Sequence, residues 1–208
     1  MYVVPRIVIT SGEPAGIGPD TCVAVAQSAW AADIVVAADA GMLAATAEAL
    51  KLPLAIERYD SSRRLGEHRA GTLRVLHLPA VYPVVAGRPD KRNAAYVIGM
   101  LDRACDGCMN GEFAAMVTAP VQKSTLLEAG YAFSGHREFL AARTRAALPG
   151  WLSGYSRVLV GDLPLGVQRR VAFTEALGHR PDLLILDEPT SGVDPLARAR
   201  LWETIADA

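Results

Sequence analysis

Residues 116–140 read MVTAPVQKSTLLEAGYAFSGHREFL and contain two strand-to-helix corners in close succession. A short apolar strand, Ala114–Val117, runs into a Thr-Ala-Pro turn, and a short helix is predicted over Thr125–Ala129, stopped by Gly130. A second loop leads into a helix predicted to begin near Glu138. The free N–H groups at both helix starts suit a phosphate or carboxylate. The alternative is that both corners are ordinary α/β loops.

The rest of the chain before residue 145 shows the same alternation of strand and helix. This alternation predicts a three-layer α/β/α part with a mostly parallel sheet. Ligands gather at the carboxyl ends of the strands in such sheets, so the loops after Thr10 and Thr118 are expected to share one rim. The predicted strands are Val3–Thr10, Asp33–Ala38, Leu54–Arg58 and Leu73–Leu78, the helices are Pro19–Ala29, Ala40–Leu50 and Asn93–Asp106, and an extended loop covers Tyr82–Asp90.

The loop Gly12–Pro19 holds three glycines and two prolines between a predicted strand and a predicted helix. This is the setting of a phosphate-binding loop, because glycine lets a backbone approach a ligand closely. The spacing matches neither G-x-G-x-x-G nor G-x-x-x-x-G-K-[ST], however. A structural loop is therefore the favoured interpretation.

The composition is that of a globular protein of one domain or two small ones, with 208 residues and a formal net charge of −1. A net charge this close to zero argues against a protein that binds nucleic acid or an anionic membrane through a basic surface. No apolar run is long enough to span a bilayer, and the first residues lack the pattern of a signal peptide. We therefore expect a cytoplasmic protein without a membrane segment.

The cysteines are Cys22, Cys105 and Cys108. Cys105-x-x-Cys108 has the spacing of half a zinc site or of a redox pair, but no second pair of metal-binding side chains follows. The pair lies late in a predicted helix. We favour buried or half-buried thiols over a metal site.

Together with GEPAGIGPD at residues 12–20, the run from residue 116 to 140 resembles the 4-hydroxythreonine-4-phosphate dehydrogenase family. The resemblance extends from Arg6 to about Ala141 and defines a predicted domain over residues 1–145. It implies NAD(P)- and metal-dependent oxidation of 4-phosphooxy-threonine, a small phosphorylated substrate, in pyridoxal phosphate (vitamin B6) biosynthesis. It also implies a homodimer, with substrate bound by His136 and Arg137.

Two features depart from this family. Arg137 stands where the family's Gly-His-Thr-Glu-Phe motif has a substrate-binding threonine. The family's three metal-binding histidines would lie beyond residues 146–151, which we call the seam. We therefore predict neither a metal ligand nor a catalytic residue within this chain. By this interpretation the chain is a truncated dehydrogenase that is inactive on its own.

Beyond the seam, the sequence has a different character. It contains LPLGVQ at residues 163–168 and LLILDEPTSGVD at residues 183–194. A buried strand that delivers two carboxylates at its end suits Mg²⁺ binding and polarisation of a water. These motifs resemble the signature, Walker B strand and D-loop of ABC transporter ATPases, so residues 152–208 are predicted to form a small α/β fragment of such a domain. The resemblance implies ATP and Mg²⁺ binding by Gly166, Gln168, Asp187 and Glu188.

No Walker A loop occurs anywhere in the chain, and Pro164 replaces the serine usual in the signature motif. Three hypotheses therefore stay open. The first is a dehydrogenase-like enzyme. The second is an ATP-binding transporter component that needs a partner chain, with a membrane protein as its further partner. The third is a non-functional chimera of the two.

Overall fold

A computed structural model describes residues 4–62 and 66–144. The predicted seam at 146–151 and the predicted fragment at 152–208 lie outside these residues. The strands are β1 (Arg6–Thr10), β2 (Asp33–Ala38), β3 (Ala55–Arg58), β4 (Thr72–His77) and β5 (Ala115–Thr118). The helices are α1 (Gly18–Val25), α2 (Ala40–Leu50), α3 (Ala94–Met109), α4 (Lys123–Glu128) and α5 (His136–Thr144), with a short 3-10 helix over Lys91–Asn93.

All five strands form one parallel sheet in the order β3-β4-β2-β1-β5. The strand β2, with the sequence DIVVAA, is buried at every position. A strand reads as a continuous apolar run when both faces of its sheet are covered, as expected for parallel sheets. The predicted α/β fold with a parallel sheet is confirmed.

Helices cover the sheet on both faces. On one face, α1 and α2 pack against Val36 and Ala38 of β2 and against Leu73 of β4. Successive residues of a strand point to opposite faces, so Val35 and Ala37 face the other way. That side is covered by α3, which packs against β1, β2 and β5 and also against α5. The result is the three-layer arrangement that the sequence predicts.

The starts of β1, β2 and β4 are joined by a buried ion-pair network. Asp33 accepts a hydrogen bond from Arg6 Nε at 2.7 Å and another from Arg74, and its side chain is only 1% exposed. Arg6 also donates to the hydroxyl of Tyr59 at 3.1 Å, which in turn donates to Glu112 at 2.9 Å. A buried carboxylate between two guanidinium groups has the partners that its burial requires.

Four helices, α1, α3, α4 and α5, have boundaries that differ from prediction. The helix α1 ends at Val25 rather than Ala29, because the N–H groups of Gln27 and Ser28 bond to carbonyls only three residues back. The helix α5 begins at His136 rather than near Glu138, with Phe139 N–H donating to Gly135 O at 3.1 Å.

The helix α3 continues through Gly107 to Met109, past its predicted end. Glycine at this position has a steric role, because a Cβ atom there would lie 2.3 Å from the ring of Phe113. The helix α4 begins at Lys123, earlier than predicted, and ends at Glu128.

Candidate functional site

The strand β1 lies at the point where the sheet changes direction. The chain passes from β1 through α1 to β2 on one side, whereas β5 pairs with β1 on the other side. In open α/β sheets the carboxyl ends of strands at such a point form a crevice, and ligands bind there. The loop at residues 11–17 and the loop at residues 119–122 both leave from this place.

The two loops are in direct contact, which confirms the predicted common rim. Glu13 N–H donates to Pro120 O at 2.9 Å, and Ala119 N–H donates to Thr10 O at 3.0 Å. Gly12 has a φ of 68°, and a Cβ atom there would lie 2.3 Å from Pro120 O. Only glycine fits, since the position combines a left-handed conformation with close backbone contact.

Gly18 has a comparable role at the start of α1. A Cβ atom on Gly18 would lie 1.8 Å from Ser11 O and 3.1 Å from Ala119 Cβ. The space beside Gly12 and Gly18 is therefore filled by the protein's own backbone. These two glycines allow close packing of the loops, which agrees with the favoured interpretation of a structural loop.

Glu13 is an acidic side chain buried in this rim, with 5% of its surface exposed. Its Oε1 accepts a hydrogen bond from Ala15 N–H at 3.3 Å. Burial raises the pKa of the Glu13 carboxyl and the charge of Asp90 adds to this, while the bond from Ala15 opposes it. Glu13 is not predictable as a buried site residue, because a glutamate between glycine and proline is typical of an exposed turn.

A segment that we call the strap, residues 82–93, reaches the glycine-containing loop. Its ends are tied together because Asn93 Oδ1 accepts from Tyr82 N–H at 2.8 Å and Asn93 Nδ2 donates to Tyr82 O at 3.2 Å. The guanidinium of Arg92 lies 3.5 Å from the centre of the Tyr82 ring. At the middle of the strap, Gly87 N–H donates to Ala15 O at 2.7 Å. The predicted extended loop is thus a closed loop anchored next to Glu13.

The predicted substrate-binding pair, His136 and Arg137, is divided between two environments. His136 is 6% exposed, and its ring meets Phe133 edge to face at a centroid distance of 5.6 Å. The Arg137 side chain is 70% exposed and pairs with Glu138 at 3.0 Å. The imidazole is therefore held by packing, whereas the guanidinium lies at the surface.

An anion site at the start of α5 is one of the predicted alternatives. The carboxylate of Glu138 itself occupies this position. The bond from its own backbone N–H lowers the pKa of the Glu138 carboxyl, and Arg137 and Lys123 act in the same direction, while burial opposes them. A carboxylate in the first turn interacts favourably with the helix dipole. At the other corner, α4 has only six residues. Lys123 is the first residue of α4, and its Nζ atom lies 3.7 Å from a Cβ atom built on Gly135, just before α5. Its ammonium group is therefore near the starts of both helices.

The cysteine pair lies within α3. Cys105 is buried and Cys108 is half-buried, and both are free thiols. Burial raises the pKa of both thiols, that of Cys108 to about 11. No group of three or more metal-binding side chains occurs within residues 4–62 and 66–144. The burial of Cys105 and the half-burial of Cys108 match the buried or half-buried thiols that the sequence predicts.

A cavity of about 700 Å³ opens at the opposite end of the strands from the crevice, where the strands begin. It is lined by charged groups of both signs, among them Asp33, Glu57, His68, Arg69 and Arg74. Its position at the amino ends of the strands is not where parallel sheets bind ligands. The sequence analysis did not predict this cavity.

The remaining predictions concern the transporter resemblance. Gly166, Gln168, Asp187 and Glu188, predicted to bind ATP, all lie outside the described residues. In the part of the chain that the structure covers, no helix combines the length and apolarity that a bilayer span requires. The prediction of an ATPase fragment therefore stays a prediction.

Comparison with known proteins identifies relatives of the described part. The chain is 50% identical over 139 residues to a 4-hydroxythreonine-4-phosphate dehydrogenase of Serratia proteamaculans, covering 67% of this chain and 42% of the relative. It is 47% identical over 148 residues to the enzyme of the same name from Azoarcus sp., covering 71% of this chain and 44% of that relative. The chain thus spans less than half the length of these curated relatives.

Crystal structures show the same fold. A 4-hydroxythreonine-4-phosphate dehydrogenase from Burkholderia phymatum superposes with a TM-score of 0.64 at 26% identity, over 70% of this chain and 45% of that one. The enzyme from Klebsiella pneumoniae gives a TM-score of 0.62 at 27% identity, over 69% of this chain and 45% of that one. The model of the family "Pyridoxal phosphate biosynthetic protein PdxA" matches residues 29–159, more than half of the sequence. The chain therefore belongs to the PdxA family.

Proposed function

We propose that the crevice between β1 and β5 binds 4-hydroxythreonine 4-phosphate, and that this chain serves the family's dehydrogenase reaction. The observation that carries the proposal is the position of the family match. Residues 29–159 include β5, α4 and α5, so the matched segment supplies one side of the crevice and His136. The other side is the loop anchored by the bond from Glu13 to Pro120.

His136 is the side chain that we assign to substrate binding. It is the first residue of α5, and packing against Phe133 fixes its ring. A positioned imidazole supplies a hydrogen bond to a hydroxyl or phosphate oxygen of the substrate. Arg137 contributes chiefly charge, because its guanidinium is exposed and shared with Glu138.

The family implies NAD(P) and a divalent metal. Within residues 4–62 and 66–144 no cluster of side chains fits a metal ion. The space beside Gly12 and Gly18 is occupied by backbone atoms of the protein, so a dinucleotide does not fit against these two glycines. Substrate binding is therefore the role assigned to the described residues.

Two further expectations stay predictions. The first is the homodimer, which the family resemblance implies. The second is ATP binding through Asp187 and Glu188, which rests on the sequence motif at residues 183–194 alone. The family comparisons favour the dehydrogenase.

The test uses the full 208-residue chain. Isothermal titration with 4-phosphooxy-L-threonine is expected to show saturable binding that His136→Asn weakens by about tenfold or more, the value of a lost hydrogen bond to a charged group. His77→Asn is the matched control, because His77 is exposed at the end of β4. Absence of binding, or equal loss in both variants, would contradict the proposal. NAD(P)H formation with added divalent metal measures whether turnover accompanies binding.

A further inference from the structure

We propose that Glu13 binds the ammonium group of the substrate in the crevice between β1 and β5. This inference rests on the proposed function and deepens it, since it assigns one end of the substrate to one side chain. The family model matches residues 29–159 and does not include Glu13. The place of Glu13 in the fold and the unbonded Oε2 of its carboxylate are the basis of the inference.

The first observation is that Glu13 is fixed in place. Its backbone N–H donates to Pro120 O at 2.9 Å, and its carbonyl accepts from Gly16 N–H at 3.0 Å. These bonds hold the residue in a tight turn between the carboxyl ends of β1 and β5. The strap is attached to the same turn through the bond from Gly87 to Ala15.

The second observation is an incomplete set of partners. Oε1 accepts one hydrogen bond from Ala15 N–H, whereas Oε2 has no partner among the described residues. Glu13 is 5% exposed, so it keeps a carboxylate oxygen without a hydrogen-bond partner among the described residues that a ligand can contact.

The third observation is electrostatic. No lysine, arginine or histidine forms an ion pair with Glu13 in the described ranges, although the residue is only 5% exposed. The charge that acts on it is Asp90, which has the same sign and is itself bonded to Arg92 at 2.9 Å. A buried carboxylate without a cation is costly, and an ammonium ligand removes that cost through a charge-assisted hydrogen bond.

The chemistry of the substrate then fixes its orientation. 4-Phosphooxy-L-threonine carries two anionic groups, the carboxylate and the phosphate on its 4-hydroxyl, and one cationic group, the ammonium. Glu13 attracts only the ammonium. The basic side chains Lys123 and Arg137 lie at the neighbouring corner, where α4 and α5 begin, and suit the anionic groups.

The experiment compares two ligands on the full chain by isothermal titration: 4-phosphooxy-L-threonine and the same molecule with hydrogen in place of the amino group. The wild type is expected to bind the amino ligand about tenfold or more tightly than the deaminated one. In Glu13→Gln this preference falls to about twofold or less, since glutamine keeps the shape but not the charge. Glu48→Gln, an equal charge change at an exposed position of α2, is expected to keep the full preference.

Each outcome bears on the proposal. Equal binding of both ligands by the wild type overturns the role of Glu13 and leaves the proposed function standing; this comparison needs no variant to fold. A Glu13→Gln protein that melts like the wild type and keeps the full preference also overturns it. Binding of neither ligand overturns both the proposed function and this inference.

Discussion

A Cβ atom placed on Gly18 would lie 1.8 Å from the carbonyl oxygen of Ser11. The start of α1 is therefore pressed against the end of β1, and the crevice has this geometry only with glycine at that position. Because the contact is between backbone atoms, no side-chain movement can relieve it.

Gly18→Ala is expected to lower the free energy of unfolding by at least about 2 kcal/mol, since the backbone must shift to relieve the contact. Gly99→Ala is the matched control. Gly99 lies on the exposed face of α3, and a Cβ atom there has nothing within 4 Å. It is expected to raise the free energy of unfolding by about 0.5–1 kcal/mol through helix propensity. Urea denaturation of both variants measures whether the two changes in the free energy of unfolding have opposite signs. Equal changes would contradict the close contact between Gly18 and Ser11.

Asp33→Asn tests the ion-pair network at the strand starts. The substitution removes the negative charge of the buried Asp33 carboxylate that Arg6, whose side chain is 8% exposed, and Arg74 contact. Removal of one partner of a buried pair costs about 3–5 kcal/mol of unfolding free energy. Asp106→Asn, which breaks an exposed pair with Arg143, is expected to cost less than about 1 kcal/mol. Chemical denaturation at neutral pH distinguishes them, and a difference below about 1 kcal/mol would contradict the buried network.

His68 makes stability depend on pH. Burial lowers the pKa of His68 from 6.5 and the charge of Arg74 acts in the same direction, while the bond to Ala26 O and the charge of Asp33 oppose this. Below about pH 6.5 the unfolded chain therefore binds more protons than the folded one, so the free energy of unfolding falls as pH falls.

His68→Asn is expected to reduce this slope between about pH 5 and pH 6.5, as measured by urea denaturation at half-unit steps. Above about pH 7.5 the imidazole is neutral in both states, so the wild-type and variant slopes should coincide there. An unchanged slope in the acidic range would mean that His68 titrates as freely in the folded protein as in the unfolded chain.

Thr10 and Ser11 differ in what their hydroxyls contact. Thr10 Oγ1 is enclosed without a hydrogen-bond partner among the described residues, whereas Ser11 Oγ lies 3.2 Å from the hydroxyl of Tyr96. Thr10→Val is expected to leave the free energy of unfolding within about 0.5 kcal/mol or to raise it, because no bond is lost. Ser11→Ala is expected to lower it by about 1 kcal/mol. Thermal melts of the pair provide the check, and a larger loss for Thr10→Val would reveal a partner for its hydroxyl.

The elements of the sheet were predictable because their signals are local. The bounds of β2 and α2 agree with prediction, since an unbroken apolar run gives way to a helix capped by Asp39, whose Oδ1 accepts from Met42 N–H at 2.9 Å. The strand order is not a local property. The pairing of β4 between β3 and β2 depends on contacts between distant segments, which periodicity does not contain.

The candidate site was predictable in its position and less so in its residues. Two loops that follow parallel strands were expected to meet, and the bond from Glu13 to Pro120 confirms this. The burial of Glu13 was not predictable, because the contacts around it come from distant segments: its N–H donates to Pro120 O, and Ala15 O accepts from Gly87 N–H of the strap. Likewise, the exposure of Arg137 beside buried His136 follows from where α5 begins.

The central claim is that the substrate binds at the carboxyl ends of β1 and β5. A crystal structure of the full chain soaked with 4-phosphooxy-L-threonine tests it most directly. We expect ligand density between the loop at residues 11–17 and the start of α5, with the ammonium at Glu13 and an oxygen at His136. Density in the cavity beside His68 and Arg74 at the opposite end of the strands, with the crevice empty, would contradict it.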